Sequence, residues 1–143
     1  TMSEKVLLVD DEKEFLETMS ERMTTRGMTV VTAQSASDAL SVLETETFDA
    51  IVMDFQMPGM DGMEALKAIK DKKPEQQIIL LTGYATVEKT VEAMKIGATD
   101  FLEKPADLEV LSEKIRKAKA DKMLIVEKQT ESKIKDILQR FGS

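Results

Sequence analysis

Five short apolar runs punctuate the chain, and four of them stop on a side chain with chemistry. Lys5-Val6-Leu7-Leu8-Val9 stops at Asp10-Asp11, Ala50-Ile51-Val52-Met53 at Asp54, Ile78-Ile79-Leu80-Leu81 at Thr82-Gly83, and Asp100-Phe101-Leu102-Glu103 at Lys104-Pro105. The remaining run, Met28 to Ala33, is rich in β-branched residues. Runs that are nearly continuously hydrophobic, rather than alternating, predict strands buried on both faces. Between them apolar residues recur at helical spacing. Phe15, Leu16, Met19 and Met23 predict a helix from about Glu12 to Arg26, closed by Gly27. Ala39, Leu40 and Leu43 follow Ser35 or Ser37 as cap, and Met63, Leu66 and Ile69 follow Asp61 as cap and stop before Pro74. Val87, Val91 and Met94 share one stripe ahead of Gly97, and Leu108, Leu111, Ile115 and Ala118 mark a last amphipathic helix.

This strict alternation of strand and helix predicts an α/β fold: a doubly wound, five-stranded parallel sheet in the order 2-1-3-4-5, a flavodoxin-like three-layer sandwich. Ligands of such sheets bind outside the carboxyl ends of the strands, where strands 1 and 3 diverge. Asp10, Asp11 and Asp54 belong to those two ends. Pro58-Gly59 predicts a tight turn just beyond Asp54, since proline presets φ and glycine accepts a positive one. Residues 1–120 make one domain in this reading. Residues 121–143 stand apart, with apolar Met123 to Val126, a charged stretch, then Ile134, Ile137, Leu138 and Phe141 near helical spacing. That segment reads equally as a helical extension that dimerises the chain or links to an output domain, and as an ordinary helix folding back.

Composition narrows the chemistry. The 143 residues carry 27 acidic and 20 basic side chains, a formal net charge of -7, which argues against direct nucleic-acid contact and against an anionic membrane surface. With neither cysteine nor histidine, disulfides, thiolate or imidazole metal sites and His-based triads are excluded. No apolar run approaches the roughly 18 residues of a membrane span, so the expectation is a cytoplasmic protein.

Three carboxylates in one crevice repel one another. Two unit charges about 5 Å apart cost on the order of 3 kcal/mol at an effective dielectric of about 20, so a counter-cation is implied. Carboxylate oxygens are hard ligands suited to Mg²⁺, Lys104 adds a point charge, and Thr82 offers a hydroxyl donor to a phosphoryl oxygen. An aspartate that becomes an acyl phosphate is an established covalent nucleophile. Each residue also has a plainer reading. Asp11 could cap helix 1, Asp54 could start an Asx turn, Thr82 could cap a helix, Lys104 could be a solubilising charge, and Phe101 reads first as a core aromatic. Their joint placement at strand ends favours the chemical reading.

Asp10-Asp11, Asp54, Met57-Pro58-Gly59-Met60-Asp61-Gly62, Thr82-Gly83-Tyr84 and Phe101-Leu102-Glu103-Lys104-Pro105 together resemble the receiver domain of two-component response regulators over roughly residues 4 to 120. The run from Thr82 to Pro105 also resembles receivers of nitrogen-regulatory transcriptional activators. The resemblance implies that Asp54 accepts a phosphoryl group from a sensor histidine kinase. It implies Mg²⁺ held by Asp10, Asp11, Asp54 and the backbone carbonyl of Gln56, with Lys104 pairing to the phosphate. Thr82 would close on the phosphoryl group and Phe101 would swing inward, altering the face of helix 4, strand 5 and helix 5 toward an output domain or downstream protein. Such a protein is not an enzyme beyond its own phosphorylation and dephosphorylation. A haloacid-dehalogenase-type phosphohydrolase expects a second aspartate where Gln56 stands, and a flavin binder expects a glycine-rich loop where Asp10-Asp11-Glu12 would repel a phosphate.

Overall fold

β1 (Lys5–Val9) and β3 (Ala50–Asp54) lie side by side in the middle of a five-stranded parallel sheet, in a computed structural model that describes residues 3–57, 60–83 and 86–142. The other elements are α1 (Lys13–Thr25), β2 (Thr29–Ala33), α2 (Ala36–Leu43), the two-residue strands β4 (Gln56–Met57) and β5 (Met60–Asp61), α3 (Gly62–Lys72), β6 (Ile78–Thr82), α4 (Val87–Ile96), β7 (Asp100–Glu103) and α5 (Leu108–Phe141). The sheet order is β2-β1-β3-β6-β7. With the short antiparallel ladder β4–β5 set aside, this is the expected 2-1-3-4-5. The Pro58-Gly59 turn and Tyr84 lie outside the described residues.

Side chains alternate across a strand, so each buried run feeds two cores. Leu7, Val9, Ile51, Met53, Ile78 and Leu80 pack on one face with residues of α2 and α3. Val6, Leu8, Val52, Ile79 and Leu81 pack on the other against α1 and α5. Both faces being covered is why the central strands β1, β3 and β6 show no polar alternation, whereas the edge strands β2 and β7, expected to be buried as well, are partly exposed.

Most caps fall where side-chain chemistry places them. Ser35 Oγ accepts from Asp38 N at 3.0 Å, and Asp61 Oδ1 from Met63 N at 3.0 Å. Helix α1 has no side-chain cap; Asp10 Oδ1 instead accepts from Glu12 N at 2.8 Å. Asp11 therefore does not serve as the cap that one reading gave it. Gly62 is required by close approach, since a Cβ there would lie 2.2 Å from the carbonyl oxygen of Phe55. The ladder pairing Gln56 with Asp61 and Met57 with Met60 folds the chain back, bringing the start of α3 up to Phe55.

Two points that the sequence leaves open are decided by the fold. The Val87, Val91 and Met94 stripe of α4 points outward, at 81, 46 and 43 % exposure, while Ala93 is the buried residue of that helix. Periodicity identifies a face but not its direction, and a small alanine lets the helix approach the sheet while its larger residues stay outside. The fold-back of the last segment is also absent. α5 runs on as one 34-residue helix, held to the domain by Leu111, Ser112, Ile115 and Ala118, and Met123 to Gly142 are exposed. Where it leaves the domain, Lys122 Nζ donates to the Phe48 carbonyl at 2.7 Å. Among the described residues no helix is long and apolar enough to cross a membrane.

Two substitutions check this packing by urea denaturation. Gly62→Ala is expected to cost about 2–3 kcal/mol through overpacking against backbone that cannot yield. Ser112→Ala is expected to add up to about 1 kcal/mol, because the Ser112 hydroxyl is buried without a partner among the described residues.

Candidate functional site

The carboxyl edge of the sheet collects the acidic side chains because β1 and β3 are parallel neighbours in register, Val9 opposite Met53. One residue further along each strand stands Asp10 or Asp54. Asp10 is fully buried, and its own N–H donates to the Ala33 carbonyl at 3.1 Å, which prolongs the β1–β2 ladder. Asp54 is 6 % exposed, and its Oδ1 accepts from Gln56 N at 2.9 Å. Asp11, beside them, is exposed. Each of the three offers a carboxylate oxygen within 4.8 Å of the other two.

Lys104 reaches this cluster from the far side of the sheet. Its backbone N–H donates to the Thr82 carbonyl at 2.8 Å, tying the end of β7 to that of β6. Its ammonium lies 2.7 Å from Asp10 Oδ2 and 3.3 Å from Asp54 Oδ2, bridging two carboxylates that would otherwise repel. The same Nζ sits 4.4 Å from the centroid of the Phe15 ring, a cation–π contact that holds the ammonium from the α1 side. Phe15 entered the sequence reading only as a helix-stripe residue. Nothing in its spacing marks it for this role, since it meets Lys104 only once α1 and the end of β7 are both in place.

Three carboxylates and one ammonium leave the crevice with net negative charge. Burial is the largest influence on Asp54 and pushes its pKa above the usual 3.8; the Asp10 charge adds to this, while the Gln56 N–H and Lys104 oppose it. Burial pulls Lys104 down, but its hydrogen bond to Asp10 and the charges of Asp54 and Asp10 outweigh that, and the net shift is upward from 10.5. The signs have opposite consequences for stability. Ionised Asp54 costs stability at pH above its raised folded value, and the cost vanishes below the unfolded value. Charged Lys104 contributes stability below its unfolded value and loses it as pH rises through the folded one.

Thr82 ends β6 one position past Leu81, the partner of Asp54 in the register, and is buried. It lines a small apolar cleft with Phe55, Leu80, Ala93, Met94 and half-buried Phe101. Strand-end carboxylate, ammonium and hydroxyl thus share one edge of the sheet, and an apolar cleft under α4 borders them. Gln56 lies two residues beyond Asp54, its N–H on the Asp54 carboxylate and its side chain exposed. Every residue predicted for the site lies at this edge.

Hard oxygen donors with an excess of negative charge suit a divalent cation such as Mg²⁺, and the neighbouring ammonium and hydroxyl suit an oxyanion placed beside it.

A family model described as the response regulator receiver domain matches residues 6–116. The response regulator protein FleR of Pseudomonas aeruginosa is 40% identical over 110 residues, covering 77% of this chain and 23% of FleR. The transcriptional regulatory protein ZraR of Salmonella typhimurium is 37% identical over 115 residues, covering 80% of this chain and 26% of ZraR. The photosynthetic apparatus regulatory protein RegA of Cereibacter sphaeroides is 35% identical over 102 residues, 71% of this chain and 55% of RegA. The chain thus spans between about a quarter and about half of these curated relatives. Among solved structures, a response regulator receiver domain protein from Clostridium thermocellum superposes with a TM-score of 0.81 at 32% identity, over 87% of this chain and 99% of that one. NtrX from Brucella abortus superposes with a TM-score of 0.81 at 27% identity, over 90% of this chain and 29% of NtrX, in keeping with the nitrogen-regulatory resemblance. Since the matched span, residues 6–116, runs from β1 into α5 and includes every residue at the acidic strand ends, the chain belongs to the response regulator receiver domain family.

Proposed function

We propose that this receiver domain accepts a phosphoryl group on Asp54, with Mg²⁺ bound, from a sensor histidine kinase, and that the acylated state alters a protein-interaction surface. The observation that carries this reading is the convergence of Asp10, Asp11 and Asp54 within 4.8 Å around a crevice that Lys104 only partly neutralises. Asp10, Asp11, Asp54 and the Gln56 carbonyl would hold the metal. When bound, Mg²⁺ supplies positive charge to the phosphoryl oxygens and orders their geometry.

The residues of the chain divide the remaining work. An Asp54 carboxylate oxygen forms the new P–O bond as the donor's P–N bond breaks, and that electron pair returns to the imidazole nitrogen; because the donor's other ring nitrogen carries a proton, the imidazole leaves neutral. Burial raises the Asp54 pKa in the metal-free crevice, and a cation bound beside it would favour the ionised carboxylate that attacks. Lys104, already 3.3 Å from Asp54, would pair with a phosphoryl oxygen without moving far. Thr82 would donate its hydroxyl to another. The cleft between Thr82 and Phe101 gives the switch its room, because an aromatic ring can turn inward only where packing leaves space. Acylation shifts the population toward that arrangement only to the extent that phosphate binds it better. The exposed Val87, Val91 and Met94 lie on the α4 face that this change would reshape. An output domain or a separate downstream protein would read it. In this role the chain acts as substrate and switch in the cytoplasm, with no turnover beyond its own phosphorylation and dephosphorylation.

Treated with acetyl phosphate and Mg²⁺, the parent chain is expected to gain one phosphoryl mass on the peptide containing Asp54, and Asp54→Asn none. Labelling of the variant to the parent's extent would assign the acceptor elsewhere. A second measurement follows the metal alone. At neutral pH, saturating Mg²⁺ is expected to raise the unfolding midpoint by about 5 °C, corresponding to roughly ten times Kd of free ion. The gain should fade as acid protonates the carboxylates. Without Mg²⁺, Asp54→Asn should itself melt higher than the parent, because it removes the buried charge that the crevice penalises. A variant that melts lower would contradict that sign.

A further inference from the structure

Three groups hold the Lys104 ammonium, and they are not equivalent. Asp10 Oδ2 accepts from it at 2.7 Å, Asp54 Oδ2 accepts at 3.3 Å, and the centroid of the Phe15 ring lies 4.4 Å away. Asp10 and Asp54 also belong to the carboxylate cluster that suits a divalent cation, and Asp54 is the proposed acceptor. With a cation in the crevice, the carboxylates share their charge with it, and its own charge repels the ammonium. The ring is spared this competition, because it offers no oxygen to a hard cation. Its negative face attracts the ammonium and takes up none of the groups that a metal or a phosphoryl group would need.

The placement of the ring is built into the start of α1. Phe15 sits in the first turn of that helix, which no side chain caps; Asp10 Oδ1 fixes the turn instead by accepting from Glu12 N at 2.8 Å. Asp10 thus uses one oxygen to place the helix that carries the ring and the other to place the ammonium. Phe15 is half-buried against the core that α1 and α5 form with the sheet. Packing alone would accept leucine at such a position, but only an aromatic ring presents a face of negative charge.

We infer that Phe15 is a positioning residue for phosphoryl transfer: its ring keeps the Lys104 ammonium facing Asp54 when Asp10 and Asp54 are engaged with other charges. The inference rests on the reading of Asp54 as phosphoacceptor. Phe15 touches neither the donor nor the reacting atoms and acts through Lys104 alone. A cation–π contact to a partly desolvated ammonium is strong enough to change a rate by about three- to tenfold.

The test compares the 143-residue chain with Phe15→Leu, Phe15→Tyr and a chain whose Phe15 ring is trifluorinated, a change that keeps the ring but withdraws negative charge from its face. Without metal, NMR is expected to show the ε-methylene protons of Lys104 shifted upfield by the ring in the parent and in Phe15→Tyr, and at ordinary lysine positions in Phe15→Leu. With acetyl phosphate and saturating Mg²⁺, Phe15→Leu and the trifluorinated chain are expected to take label about three- to tenfold more slowly than the parent. Phe15→Tyr should recover the parent's rate. If the ring only fills space, the trifluorinated chain labels as fast as the parent, and that result would overturn the inference. So would Phe15→Tyr labelling as slowly as Phe15→Leu, or a metal-free parent whose Lys104 protons show no upfield shift. Failure of the acceptor assignment looks different: the parent itself takes no label, and the positioning role falls with it while the upfield shift remains.

Discussion

The ammonium of Lys104, shared between Asp10 and Asp54, is the interaction on which the rest of this molecule turns. It joins the ends of the neighbouring strands β1 and β3 to that of β7, distant in sequence and with β6 lying between β3 and β7 in the sheet. Its worth is not that of a surface ion pair, which water and salt reduce to a fraction of a kcal/mol. Asp10 is fully buried, so leaving it unpaired would strand a charge in the protein interior. The crevice is held together by one cation and is still short of positive charge, which makes it stable enough to fold and receptive to a further ion.

Register supplies the precision. Because the strands are parallel and their pairings are Val9 to Met53, Asp54 to Leu81 and Thr82 to Glu103, functional groups one residue past each pairing emerge on one edge. A slip of one residue in any strand would turn its buried set over and carry the functional group away from that edge. The apolar packing on the two faces of the sheet is thus also what aligns the site. Gly62 belongs to the same constraint, since its missing Cβ allows the chain just past Asp54 to lie against the start of α3.

Away from the crevice the domain leaves two apolar surfaces open, and they differ in kind. The α4 face, with Val87, Val91 and Met94, borders the cleft that contains Thr82 and Phe101, so its shape is coupled to what happens at the site. The projecting part of α5 is remote from the crevice, at the opposite end of the sheet, where Lys122 meets the loop before β3. A single strand, β3, has Asp54 at one end and that loop at the other.

By itself the sequence determined the five strands of the main sheet, their order and the chemical groups at the strand ends, but not the short β4–β5 ladder. Those follow from local physics: continuous apolar runs can be buried only in a sheet covered on both sides, and right-handed crossovers leave few topologies. Local pattern also located the cap at Asp61 and narrowed that of α2 to Ser35 or Ser37, because a capping oxygen acts within three residues. What only the tertiary structure decided is everything that depends on direction or on distant partners. The α4 stripe faces outward because Ala93, not the larger residues, meets the sheet. Phe15 lies beside Lys104 only because α1 and the end of β7 converge. Asp11 is left to the crevice because Asp10 takes the Glu12 N–H, and α5 runs on beyond Lys122 as one exposed helix rather than folding back.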